Sequence, residues 1–433
     1  MSRNVRVIVV NTDEEVASDL RAVLLSIEGV KIVAEIDEPA LLGQALDQFP
    51  AEVVLVHLDP TPAAMMDVVA PLIEQRKDQI AAIAITEDRD AELVMRAMRA
   101  GMREFLWKPF PPEQLADILQ RLATDAAASG SRQLGRLIVV VGTTGGVGAT
   151  QLATNLAVEL AQFEHWDAAP RPGVKPRVAV VDLDFRFGQV AMQLDAQPTY
   201  TIAELCESHE AIDPQMIERA MCKHSTGVHV LARPADLQQA ESSSAGQCAA
   251  VLAALQEHYD FVLADLPARF DASARSVFDM SDTYLLVFQL MVPAVRAADR
   301  TLTELGRCGY APARVRLVCN RCCRDGAYLE ESDVEATLHR KIDFRLPDDW
   351  RSSAVAVNMG APLLISAPKS KLRQAYRQIA LALAGPGQPR GSQISDLRSK
   401  RQGQAAAESE ERLEVGAPGG KKKRFSLFAG SPG

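Results

Sequence analysis

Apolar runs of three to six residues, each followed by a polar turn and then by apolar residues at helical spacing, recur from the start of the chain to about position 384. Runs this short and uniform read as strands buried on both faces, and their alternation with helical patterns predicts parallel sheets covered by helices. In the first third the strands fall at 5–10, 31–35, 53–57, 81–86 and 104–106, while Val16, Leu20, Val23, Leu24 and Ile27 repeat along one helical face. A second series covers 137–141, 178–181, 228–232, 261–264, 284–288, 315–319 and 344–346. Between the two series, DAAASGSR (125–132) is small and polar, as a linker is. Beyond Gly385 the chain is rich in Gly, Pro, Gln, Ser and charge and has little to bury. The pattern therefore predicts an α/β domain at 1–124, a linker at 125–133, a second α/β domain at 134–384 and a disordered tail at 385–433. Both domains are expected to be doubly wound parallel sheets.

Composition narrows the partners more than the fold. The chain has 433 residues, 47% of them hydrophobic and 24% charged, the balance of an ordinary globular protein. Its formal net charge of −9 argues against broad nucleic-acid binding, which needs a basic face, and no specific nucleic-acid partner is expected. No apolar run approaches the ~20 residues needed to cross a bilayer. The start, MSRNVRVIVVNTDEE, turns acidic without a small-residue cleavage site, so no secretory signal is expected. The seven cysteines, an odd number absent from the first 200 positions, suit reduced thiols in the cytoplasm. Cys319, Cys322 and Cys323 cluster, but no second Cys/His pair follows at ligand spacing. Small side chains at a strand end are the better reading of them than a zinc site.

The strongest chemical signal is LIVVVGTTGGVGATQLATNLAVELA, an apolar strand running through a glycine-rich turn into a helix with Leu152, Leu156 and Leu160 on one face. Such a turn lets backbone N–H groups wrap a polyphosphate at a helix N-terminus, where the dipole also favours anions. Gly145, Gly146 and Gly148 supply the backbone freedom, and Thr150 stands where a hydroxyl would ligate Mg²⁺. Thr144, Val147, Ala149 and Gln151 complete the candidate phosphate cradle. A side chain at Gly146 or Gly148 is expected to clash with phosphate or with a facing copy.

The first domain resembles a two-component receiver. Thr86 closes a strand, and AGMREFLWKPF places Lys108-Pro109-Phe110 at the family's Lys-Pro. The resemblance puts His57, in EVVLVHLDPTP, where the phosphoacceptor Asp would stand, and Asn11-Thr12 where an acidic pair would hold Mg²⁺. Asp13 follows that pair, and Asp59 is expected to lie past the strand end. A neutral imidazole without a carboxylate cage cannot form an acyl phosphate, so a pseudo-receiver serving as an interaction surface is expected.

The second domain resembles ParA/MinD ATPases, and within them the TadZ/CpaE pilus-assembly branch. The carriers are GGVGAT, VAVVDLDFRFGQVAMQLD with Asp182 and Asp184, YDFVLADLP ending at Asp265, LVCNR with Asn320, and the segment from LPDDW to about 380. The resemblance implies ATP with Mg²⁺ held by Thr150 and, through water, Asp265. It makes Asp182 the ancestral water-orienting position and Asn320 an adenine reader, beside the alternative that Asn320 caps a turn. Thr144 and Ala149 stand where the superfamily carries its signature and Walker lysines. One charged donor of this kind is worth about 1.5–3 kcal/mol in binding, and an arginine finger in an analogous role about 10³–10⁵ in rate. Weak binding with little or no hydrolysis is expected. The branch further implies a homodimer that acts as a localisation scaffold in a Tad/Flp-type pilus assembly system. Its partners would include a secretion ATPase, and it would be recruited to the inner face of the membrane, at a pole. The enzymatic alternative is an active ATPase driving polar positioning. Lys421–Arg424 with Phe425, Leu427 and Phe428 leaves two readings open, a contact with anionic lipid or a solvated tail.

Overall fold

The computed structural model describes residues 5–128, 134–163, 175–207, 212–242, 244–322 and 329–384. Residues Met1–Pro386 gather into one compact unit that holds two separate sheets. The first contains β1 (Val5–Val10), β2 (Val30–Ile36), β3 (Val53–His57), β4 (Ala81–Thr86) and β5 (Met102–Trp107), parallel and in the order β2-β1-β3-β4-β5. Strands β1, β3 and β4 are buried along their whole length, which is why a mostly apolar run marked their ends correctly. The edge strands β2 and β5 are longer than expected: β2 gains the buried Val30 and Ile36, and β5 gains Met102, Arg103 and Trp107, of which Arg103 and Trp107 are exposed.

The second sheet contains β6 (Arg136–Gly142), β7 (Val178–Asp182), β8 (Cys222–Lys223), β9 (Val228–Leu231), β10 (Phe261–Leu266), β11 (Thr283–Gln289), β12 (Val315–Cys322) and β13 (Phe344–Pro347). Their order is β13-β12-β11-β6-β10-β7-β9-β8. All pair in parallel except β8, a two-residue antiparallel edge on β9 that is too short to show a period in sequence. The helix Ala149–Ala161 lays Leu152, Leu156 and Leu160 over Val140, Val180 and Leu263, and Tyr376 and Ile379 of the helix Lys371–Ala384 join the same core. Burying each such side chain contributes about 1.5–3 kcal/mol, so the glycine turn between β6 and this helix is held on a rigid base.

The two sheets meet through charged groups. Edge strand β2 is shielded by the helix Ala272–Met280 instead of by water. Lys31 Nζ lies 2.7 Å from Asp282 Oδ2, and that same oxygen accepts the Leu137 amide at 2.7 Å, where β6 begins. Arg21, on the helix Glu14–Ser26, pairs with both Glu35 and Asp279, and Tyr310 donates to Asp279 at 2.7 Å. Arg314 donates to the carbonyl of Val30. Gly309, at φ +82°, comes so close to the helix Glu14–Ser26 that a Cβ there would stand 2.6 Å from Ala22 Cα. Lys31 is 3% exposed and Asp279 5%. Burial draws the Lys31 ammonium below its ordinary value, and it pushes the Asp279 carboxyl up to about 6 against the opposing charge of Arg21.

The helix Pro112–Ala128 runs four residues into the segment expected to be a linker; 129–133 and the expected tail, 385–433, lie outside the described residues. Among the described residues no helix is long and apolar enough to cross a membrane.

Candidate functional site

At the carboxyl end of the second sheet, β6 delivers Thr143 and Thr144 into a turn that closes at Gly148, the N-cap of the helix Ala149–Ala161. Gly146 and Gly148 have φ of +76° and +96°, values that side-chain-bearing residues rarely adopt. Gly145 and Gly146 are exposed, and a Cβ at either would meet nothing within 4 Å. The first turn of the helix has N–H groups with no helical acceptor, so the loop is an open anion cradle. Val147 is buried and anchors the loop, while Thr144, Ala149, Thr150 and Gln151 are half-buried around it. The crowding expected at Gly148 has an internal cause: a Cβ there would stand 2.4 Å from Asn320 Nδ2. At Gly146 no part of the chain crowds the position.

Two carboxylates lie side by side below the loop, because β7 and β10 put Asp182 opposite Asp265. Both are almost fully buried, 1% and 2% exposed. Asp182 accepts the amides of Asp184 at 3.2 Å and Val190 at 3.0 Å, yet burial outweighs these bonds and raises its pKa to about 7. Burial and the neighbouring Asp182 push Asp265 well above the carboxylate range, with a hydrogen bond from Thr150 opposing. Asp265 Oδ1 has no hydrogen-bond partner, nor do the buried Thr143 Oγ1 and Gln151 Nε2. Asn320 donates to the carbonyl of Val147 at 2.7 Å and accepts the Arg321 amide at 2.8 Å. It both caps its own turn and ties that turn to the phosphate loop.

At the corresponding end of the first sheet the arrangement is closed. His57 is fully buried, with Nδ1 2.7 Å from Asn11 Oδ1 and Nε2 2.9 Å from Lys108 Nζ. An amide oxygen only accepts, so Nδ1 carries the proton and Nε2 accepts from the ammonium: the imidazole is neutral. Burial and Lys108 lower its pKa accordingly. Asp59 lies past the end of β3, as expected, and turns back into the pocket. Its carboxylate accepts from Thr86 Oγ1 at 2.9 Å and the Glu87 amide at 3.0 Å, and pairs with Lys108 at 3.0 Å. Desolvation opposes its ionisation, but these three donors hold its pKa below the usual value.

Residues 7–120 match the response regulator receiver domain family. The MinD septum site-determining protein of Thermotoga maritima is 25% identical over 261 residues, covering 59% of this chain and 90% of the relative. MinD of Bacillus subtilis is 25% identical over 266 residues, covering 59% and 91%. An uncharacterised ATP-binding protein of Methanocaldococcus jannaschii is 24% identical over 249 residues, covering 58% and 88%. A ParA family ATPase from Chlorobium tepidum superposes with a TM-score of 0.53 at 21% identity, over 58% of this chain and 99% of that one. The chain pairs a receiver-like domain with a ParA/MinD-like P-loop domain.

In the P-loop domain the residues present fit a nucleotide with Mg²⁺. The loop leaves open space beside the first turn of a helix, and among the described residues the buried Asp265 Oδ1 has no hydrogen-bond partner. Among the described residues no group of three or more His, Cys, Asp or Glu could hold a metal alone. Thr150, with Asp265 through water, would therefore share the ion with phosphate oxygens. Bound there, the cation would neutralise phosphate charge; the chain's own part is to orient it. Three contributors were not evident from sequence. Gly188 lets its loop close over Asp182, since a Cβ there would stand 1.9 Å from Asp182 Oδ1. Arg233 fixes that loop by donating to the carbonyl of Gly188 at 3.0 Å. Gln289, beside Asn320 in register, reaches the carbonyl of Gly146 at 3.5 Å. Only the glycine in DFRFG offered a signal, as a tight turn after an acidic strand end.

Proposed function

We propose that this chain is a dimeric, nucleotide-responsive scaffold of a Tad/Flp-type pilus assembly (type II/IV secretion-like) system, binding Mg-ATP weakly and hydrolysing it little or not at all. One observation carries the nucleotide part: the phosphate loop keeps an open backbone cradle, Thr150 and an unpartnered Asp265 oxygen, while Thr144 and Ala149 stand where two lysines would. Backbone amides can hold phosphate without those lysines; stabilising charge on a transferring phosphoryl group needs them more. Asp182 keeps the water-orienting position without its former output, and Asn320 lies within reach of a base bound at the loop. The pilus part rests on the TadZ/CpaE-like segments and on the receiver-then-P-loop order. In this reading the protein pairs face to face across two nucleotides. It meets a secretion ATPase of the machine and is recruited from the cytoplasm to the inner membrane face at a pole, with the basic tail Lys421–Arg424 as a lipid contact.

A second reading, an active ATPase that drives polar positioning, is favoured by the MinD relatives and by the retained acids Asp182 and Asp265. Calorimetry and a phosphate-release assay on the full chain separate the two. The scaffold reading expects measurable Mg-ATP binding and turnover far below the ~1 s⁻¹ common among enzymes; turnover at that rate selects the ATPase. Gly148→Val should abolish nucleotide-dependent dimerisation and pilus assembly, and normal pili in that strain would defeat the scaffold's need for nucleotide.

A further inference from the structure

The cysteine cluster has a geometry that neither a zinc site nor simple packing explains. Strand β12 shifts register against β13 between Cys319, opposite Arg345, and Cys322, opposite Pro347, so one extra residue is accommodated. Arg321 takes it up at φ +52°. The turn brings two positions that would diverge in a straight strand back together: the Cys322 thiol donates to the carbonyl oxygen of Cys319, with Sγ 3.4 Å from it. Cys319 is fully buried and Cys322 half-buried. Between them sits Asn320, whose carboxamide holds the Val147 carbonyl of the phosphate loop.

We propose that Cys319 and Cys322 form a reversible dithiol–disulfide couple that controls the grip of Asn320 on the phosphate loop. Cys322 is the attacking thiol. It is half-buried where Cys319 is enclosed, and its neighbour Cys319 holds its pKa below the usual thiol value against desolvation. Cys319 is the resolving thiol, its pKa raised by Cys322 and by burial. The oxidant is a low-molecular-weight disulfide. The Cys322 thiolate attacks one of its sulfurs and expels one thiolate, leaving a mixed disulfide. Cys319 then loses its proton and attacks Cys322 Sγ, releasing the second thiol. Two protein thiols become one disulfide, and one small disulfide becomes two thiols. An S–S bond of about 2.05 Å demands closer sulfurs than a hydrogen bond does. Closing it tightens the chain around Asn320 and Arg321 and withdraws Asn320 from Val147.

The test uses the full chain equilibrated in buffers of graded oxidised-to-reduced glutathione ratio, alkylated and mapped by mass, with amide exchange followed at 145–151. The expected result is a peptide that loses two hydrogens through a Cys319–Cys322 link, is restored by reduction, and coincides with at least threefold faster exchange at 145–151. Cys322→Ser should show neither change under the same oxidant. Neither readout needs bound nucleotide, so failure of the nucleotide reading would not be mistaken for failure of this one. A pair that stays reduced at every ratio, a stable glutathione adduct on Cys322, a link to Cys323 instead, or a formed link with unchanged exchange would each overturn the proposal.

Discussion

The two domains place their sites at the same structural address, the carboxyl ends of parallel strands, and both lack charged groups that the resembling families use there. They differ in what fills the space. In the receiver, Asp59 turns back onto Thr86, Glu87 and Lys108, and His57 bridges Asn11 to Lys108, so every donor facing the pocket meets an acceptor from the same chain. In the P-loop domain the glycines stand open, and Asp265 Oδ1, Thr143 Oγ1 and Gln151 Nε2 are buried without partners. A buried polar atom left unsatisfied costs about 1–3 kcal/mol. A site that retains three of them is held ready for something the chain does not itself supply. Loss of catalytic groups thus has two outcomes, a pocket that closes on itself and one that still asks for a ligand.

The contrast has force only if the domains act as one body, and the joint between them offers the largest expected effect. Lys31→Met removes the buried ammonium that pairs with Asp282 at the boundary, where the same carboxylate oxygen also accepts the Leu137 amide. Breaking a buried pair from one side costs about 3–5 kcal/mol. Denaturant unfolding should show that loss, or a split into two transitions as the receiver releases first. A single transition with an unchanged midpoint would make the joint an incidental contact.

Ala149→Lys sharpens the open side of the contrast. A lysine at the start of the helix Ala149–Ala161 restores a charged donor to the cradle and should tighten Mg-ATP by about ten- to a hundredfold, the equivalent of about 1.5–3 kcal/mol. Calorimetry on the variant beside the parent measures it. Unchanged affinity would mean that phosphate does not lie where the glycines leave room.

What could be read from sequence follows the same division between local and distant causes. The buried strands were legible because parallel strands covered on both faces are continuously apolar, and GGVGAT because a phosphate cradle is made of consecutive residues. Asn320 on Val147 was not, since 173 positions separate the partners and a turn cap would look the same. Asp59 was rightly put past the strand end, but its turn back onto Lys108 was not legible, because strand alternation fixes a residue only while the strand lasts. The roles of Lys31 and Arg21 had no sequence signal, since only the second domain turns them into a buried joint.

A smaller effect tests the strain in the acid pair. Burial raises the folded-state pKa of Asp182 to about 7, above its unfolded value, so the folded chain keeps that proton longer. Its contribution to stability therefore falls as pH rises from about 4 to 7. Asp182→Asn cannot titrate. It loses an acceptor toward Asp184 or Val190 at every pH, but that fixed cost cancels in a comparison of pH values. Relative to the parent, the variant should be more stable at pH 8 than at pH 5, judged by denaturant midpoints. Parallel pH curves for the two chains would show that Asp182 is ionised throughout.

The smallest expected effect, none at all, bears on the closed side. An acyl phosphate requires a free carboxylate, a cation to neutralise the incoming phosphoryl group and an unhindered line of attack. Asp59 enters the receiver pocket against Lys108, which also pairs with the exposed Glu87 carboxylate, and both Asp59 oxygens are engaged, Oδ1 by Thr86 and Oδ2 by the Glu87 amide and Lys108. Asn11 stands where a carboxylate would attract the cation, and its Oδ1 is already taken by His57 and the Asp13 amide. His57 offers no nucleophile either, because Nδ1 carries the proton and the Nε2 lone pair faces the Lys108 ammonium. Incubation of the full chain with acetyl phosphate and Mg²⁺ should therefore leave its intact mass unchanged. Asp59→Ala, which empties the anion slot at Lys108 without adding a nucleophile, should behave the same. A stoichiometric phosphoryl adduct that maps to 53–60 in the parent and vanishes in Asp59→Ala would show that the pocket opens after all, and the receiver would join the P-loop domain as a site awaiting its ligand.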